Sequence, residues 1–157
     1  MPLTLDPSLS DEARQAAVAI ARVLEKLERD VTPRANISFD HFDVDLAELR
    51  YRELYDATCR LDLRGCPEDF HQHMQDFVAV LDSIQSLVAE AVAIQRRYGG
   101  WRGGIERFRN RVFGPGRSAR RVDLALAEVR IHIDAMCQVL TELERCAVRH
   151  GVTDMPT

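Results

Sequence analysis

Imidazole, thiol and carboxylate groups crowd one short stretch of the chain, where Cys66, Glu68, Asp69, His71 and His73 follow one another closely. Such a set is the raw material of a metal centre, because imidazole and thiolate suit zinc and inward carboxylates suit iron. Glu68 and His71 supply half of the pattern by which helical bundles hold two irons, which needs a second such pair and two further carboxylates. The second pair is missing, since Glu128 and His132 are four residues apart. His71 and His73 would point about 200° apart on a helix, which prevents joint ligation. Surface histidines at a helix start are the simpler reading. The run FDHFDVD brings Asp40, His41, Asp43 and Asp45 together, but it lacks the glycine and distal glutamate of a calcium loop. Helix capping accounts for it. GPGRS, from Gly114 to Ser118, follows no strand and lacks the lysine of a phosphate loop. No GxSxG, HExxH or paired-thiol motif occurs. The expectation is therefore a protein without catalytic residues, metal, cofactor or small-molecule substrate, in which neither a metal nor a disulfide stabilises the fold.

The conspicuous constellation is RRYGGWRGGIERFRNRVFGPGRSARR, residues 96–121, with nine arginines, six glycines, four aromatics and a single acid, Glu106. This segment sums to +8, whereas the remainder, with twelve basic and twenty-four acidic residues, sums to −12. Such a split concerns partners rather than fold, and the net charge of −4 argues against a general nucleic-acid coat. The residues expected to meet an anionic partner are Arg96, Arg97, Tyr98, Trp101, Arg102, Arg107, Arg111, Arg117, Arg120 and Arg121. Guanidinium forks match phosphate bidentately, and glycine lets backbone approach closely. Trp101 and Tyr98 suit a lipid interface or stacked bases. Composition leaves lipid, nucleic acid and an acidic protein face open. It also leaves open a solvated loop in an arginine-biased chain, since twenty of the twenty-one basic residues are Arg.

Helical periodicity must position these groups. Apolar residues at alternating spacings of four and three mark long helices near 9–30, 41–64, 67–98 and 118–149. The first uses Ala13, Ala17, Ile20, Leu24 and Leu27, with Ser8 or Ser10 as its cap. The second uses Ala47, Tyr51, Leu54, Thr58 and Leu61; the third Phe70, Met74, Phe77, Leu81, Ile84, Val88 and Ala91. The fourth, capped by Ser118 and stopped by Gly151, uses Leu126, Val129, Ile133, Met136, Leu140, Leu143 and Ala147. A short helix near 104–113 groups Ile105, Phe108 and Val112 opposite Arg107 and Arg111. No stretch alternates like a strand, so no sheet is expected. At 157 residues the chain reads as one all-α domain, an antiparallel four-helix bundle with the short helix in the link between the third and fourth. Cys137 and Cys146 lie about 13 Å apart along one helix, beyond disulfide reach. Cys59 and Cys66 flank a turn and could approach. With no signal peptide and no apolar run above six residues, the chain reads as cytoplasmic, at most peripheral to a membrane, with reduced thiols.

The stretch HFDVDLAELRYRELYDATCRLDLRG, through Leu54, Ala57, Arg60, Leu61 and Gly65, resembles the second helical region of fungal HeLo domains. FRNRVFGPGRSARRVDLALAEVRIHIDAM is similar to that family's basic-aromatic turn and following helix, at Arg109, Arg111, Phe113, Gly116, Val129, Ile133 and Asp134. The resemblance covers roughly residues 40 to 145. It implies a helical bundle of the cell-death or incompatibility type that signals by self-association and membrane engagement. In place of the family's apolar, glycine-rich N-terminus this chain has SDEARQAAVAIARVLEKLERD. The function expected is thus a non-enzymatic signalling or interaction domain that meets an anionic membrane or protein partner through its Arg-aromatic segment. The alternatives are a helical subunit of a nucleoprotein complex that binds nucleic-acid phosphates, and a helical scaffold or oligomerisation module.

Overall fold

The computed structural model describes residues 3–30, 44–97 and 117–154, and these are mostly helical. The helices are α1 (Asp11–Asp30), α2 (Val44–Cys59), α3 (Glu68–Arg97) and α4 (Arg117–Arg149). The all-α class holds. The expected short helix near 104–113 lies outside the described residues.

Local chemistry explains the boundaries. Ser10 caps α1, its Oγ accepting from the Ala13 N–H at 3.3 Å, which satisfies a donor that has no intrahelical partner. Asp11 and Glu12 in the first turn and Arg29 in the last suit the helix dipole. The second helix stops five residues short of the expected 64, because Asp62 organises a turn of its own. Its carboxylate accepts from the Arg64 N–H at 3.1 Å and from the Arg64 guanidinium at 2.9 and 2.8 Å, and such local bonds compete with helix. Gly65 then takes a left-handed φ of 84°. The fourth helix begins at Arg117, one residue before the expected start.

Burial follows the apolar seams. In α2 and α3, Ala47, Tyr51, Leu54, Phe70, Met74, Phe77, Leu81, Ile84, Val88 and Ala91 form the centre of the core. Thr58 is buried with them, its hydroxyl donating to the Leu54 carbonyl at 2.8 Å. The expected α4 seam holds at Val129, Met136, Leu143 and Ala147 and widens to Ala125 and Cys146. Ala125, Val129, Met136, Leu143, Cys146 and Ala147 are buried, while Ile133 and Leu140 are half-buried at its flank. By length and composition Glu68–Ile94 could cross a membrane. In the fold its large apolar side chains line the core shared with α2 and α4.

One expectation is corrected: strands do occur. Leu3–Leu5 (β1) and Val152–Asp154 (β2) pair antiparallel, with Thr4 opposite Thr153 and Leu5 opposite Val152. Thr4 Oγ1 lies 3.1 Å from Thr153 Oγ1 and donates to the Thr153 carbonyl at 3.0 Å. Leu3, Leu5 and Val152 belong to the core cluster or pack against it. The ribbon is stable here, although an isolated pair of strands is marginal in water, because it covers the core and rests on α1 and α4.

Candidate functional site

Two places carry polar chemistry. The first is the arginine segment, of which the structure describes the two borders. Arg96 and Arg97 close α3, and Arg120 and Arg121 sit near the start of α4; all four are exposed. Arg117 opens α4. Tyr98, Trp101, Arg102, Arg107 and Arg111 lie outside the described residues. Arg96 is already engaged within the chain, 3.6 Å from Glu48 on α2. Glu48 also accepts from Arg52 at 3.1 Å. Exposed pairs of this kind contribute about 0–1 kcal/mol.

The second place was not anticipated as a unit. Asp69, in the first turn of α3, meets Cys146, Arg149 and His150 at the end of α4. The Cys146 thiol donates to Asp69 Oδ2 at 3.4 Å. His150 Nε2 lies 3.0 Å from both Asp69 oxygens, and an ionised carboxylate only accepts, so this nitrogen carries the proton. The Phe70 N–H donates to Oδ1 at 2.9 Å, and the Arg149 guanidinium is 3.8 Å from Oδ2. The His150 hydrogen bond, with lesser help from Cys146 and Phe70, holds the Asp69 carboxyl below its usual range. Burial pushes the Cys146 thiol up to about 11, and its hydrogen bond to Asp69 adds to that. Cys146 is thus a thiol rather than a ready nucleophile.

The carboxylate, thiol and imidazole atoms of Asp69, Cys146 and His150 all lie within 4.8 Å of one another, and among the described residues this is the group that could hold a metal ion. Of the residues 66–73 that sequence singles out, only Asp69 belongs to this cluster. His71, His73, Cys66 and Glu68 do not join the cluster. Cys146 and His150, four apart on a helical face, carried a signal that could have been used. The four cysteines are free thiols, with Cys146 buried, Cys66 partly so, and Cys59 and Cys137 exposed. Asp11, Arg14, Gln15 and Val18 line an open dip on α1. It contains no nucleophile–base pair.

No protein-family model, no curated protein and no solved structure matches this chain.

Proposed function

We propose that this chain is a non-enzymatic helical interaction domain of HeLo-like type. Its helices form an antiparallel four-helix bundle that docks on an anionic membrane surface through the arginine-aromatic segment at one end. The observation that carries the reading is the placement of Arg97, Arg120 and Arg121, which are exposed and lie at the two ends of the +8 segment. Asp69 near the start of α3 touches Cys146 and His150 at the end of α4, and the two helices pack along each other. The last turn of α3 and the first turn of α4 therefore lie together at the opposite end. An acidic remainder of −12 repels anionic surfaces elsewhere and orients the docking. The domain is cytoplasmic and peripheral to the membrane, and self-association completes its signalling role.

The test compares sedimentation onto anionic vesicles with retention on single- and double-stranded nucleic acid, at two salt concentrations. Vesicle binding should fall with salt yet keep a residual set by Trp101 and Phe113 entering the interface. The paired change Arg107→Glu and Arg111→Glu should abolish it with helicity intact. Selective retention on nucleic acid, with a log–log salt slope of about −0.7 to −0.9 per phosphate contact, would instead establish the nucleoprotein reading. Binding undiminished by the double reversal would remove the segment from any role.

A further inference from the structure

The opposite end of the α3–α4 pair holds the Asp69 cluster, which the docking reading does not use. We propose that Asp69, Cys146 and His150 form a binding site for one divalent zinc-class cation per chain, with solvent completing the coordination.

Three features support this site. The donor set is one sulfur, one imidazole nitrogen and one carboxylate oxygen, a combination suited to zinc or cobalt and unsuited to the oxygen-seeking calcium and magnesium. The positions are fixed by regular structure. Cys146 lies in the last turn of α4 and His150 directly follows that helix, its N–H donating to the Cys146 carbonyl at 3.2 Å, and Asp69 is set against them by the first turn of α3. The distances are near those a single ion requires. Tetrahedral zinc at its usual bond lengths separates such donors by roughly 3.3–3.6 Å. Here Oδ2 is 3.4 Å from Cys146 Sγ and 3.0 Å from His150 Nε2, and all three donors fall within 4.8 Å.

The hydrogen-bond pattern shows what the ion would replace. Two protons, one on sulfur and one on nitrogen, converge on Asp69 Oδ2. The other oxygen, Oδ1, is held by the Phe70 N–H at 2.9 Å. That bond orients the carboxylate as outer-sphere partners of metal ligands do. On binding, Cys146 Sγ releases its proton to buffer and becomes a thiolate. The His150 Nε2 proton also leaves, and Nδ1 takes one up, so a neutral imidazole binds through Nε2. One proton is released per ion. Carboxylate, thiolate and dication then sum to zero, which suits a cluster whose sulfur is fully buried. The Arg149 guanidinium, 56% exposed, is free to turn outward as the ion enters. The ion would tie the start of α3 to the end of α4, contrary to the expectation of a metal-free fold.

The decisive measurement is titration of the reduced chain with Zn²⁺ and with Co²⁺. One ion should bind per chain, with a cobalt–thiolate charge-transfer band and release of about one proton. Cys146→Ser and His150→Gln each keep a donor for Asp69 and so preserve the hydrogen-bonded contact between the helix ends. Each should abolish or shift the band and weaken zinc by more than the roughly 10–100-fold that loss of an outer partner costs. The Cys59→Ser/Cys137→Ser protein should bind as the parent does. Failure of the parent to bind one ion, or a cobalt spectrum without the thiolate band, overturns the site whether or not the variants fold. So does undiminished binding by folded Cys146→Ser and His150→Gln, which would place the ion elsewhere and leave the cluster as a hydrogen-bonded contact only.

Discussion

Leu9 lies so close to Gly151 that a Cβ on the glycine would sit 2.8 Å from Leu9 Cδ1 and 3.0 Å from Cδ2. Gly151 has a left-handed φ of 81°, which turns the chain out of α4 and into β2. Its carbonyl accepts the Asp6 N–H at 2.9 Å, immediately after β1. One residue thus ends a helix, starts a strand and receives the opposite end of the described chain.

Replacing the two left-handed glycines should separate backbone strain from collision. At Gly65, with φ 84°, an added Cβ would meet Ala19 Cβ at an ordinary 3.5 Å. Gly65→Ala should then cost only the conformational penalty, roughly 1–2 kcal/mol. Gly151→Ala should cost more, because Leu9 must also move. Urea midpoints of the two variants test the order, and equal midpoints would show that Leu9 yields freely.

Core truncations should differ in the same way that burial does. Phe77 is 1% exposed, and Phe77→Ala should cost about 3–5 kcal/mol through lost contacts and a residual cavity. Ile133 is only half-buried at the flank of α4. Ile133→Ala should stay below about 2 kcal/mol, since less apolar area leaves solvent contact at this site. Denaturant unfolding with unchanged m-values is the measurement.

These contrasts show where the sequence was legible. The α2 and α3 seams were readable because one continuous stripe fills the core, from Ala47 to Thr58 and from Phe70 to Ala91. In α4 apolar residues surround more of the helix: Leu124 and Ile131 are exposed while Ala125 and Cys146 are buried. Periodicity alone therefore selected Ile133 and Leu140 with too much weight. The ribbon was hidden because three residues per strand are too few to establish alternation, and its pairing is a tertiary event. Asp69 and Cys146 are 77 residues apart, so only packing brings them together. Within the chain, the Cys146–His150 spacing was the readable half of that cluster. Charge patterning singles out Arg97 and Arg120 without any fold, and both are exposed.

Acid should weaken the fold partly through Asp69. The His150 hydrogen bond lowers its folded pKa, so ionised Asp69 contributes stability above the unfolded value near 3.9. That contribution is lost as pH falls through the lower folded value. Asp62, lowered chiefly by Arg64, and Asp6, lowered chiefly by Ser8, act in the same direction. Asp69→Asn should be less stable than the parent at neutral pH and should show a shallower loss below about pH 4. Urea midpoints measured from pH 7 to pH 3 read both effects.

Alkali should act through Tyr51. Its ring is 1% exposed, and its hydroxyl makes no hydrogen bond among the described residues. Burial, with a smaller push from Cys137, raises its pKa to about 12. The neutral phenol is therefore retained in the folded chain at pH values where an unfolded tyrosine, near 10, has ionised. A raised folded pKa gives stability that is fully present below the unfolded value and is lost as pH rises through the folded one. Tyr51 should thus steepen the decline in stability between about pH 10 and pH 12, while Cys146, raised to about 11, acts in the same direction from about pH 8.5 to pH 11. Tyr51→Phe keeps the ring and removes a buried hydroxyl that lacks a partner among the described residues, a group whose desolvation costs roughly 1–3 kcal/mol when unpaired. The variant should equal or exceed the parent in stability at pH 7 and should decline less between pH 10 and pH 12. Ultraviolet titration of the parent should show one of its three tyrosines ionising near 12 or only upon unfolding, and Tyr51→Phe should remove that step. A variant destabilised by more than about 1 kcal/mol at pH 7 would mean that the hydroxyl has a bonding partner in solution.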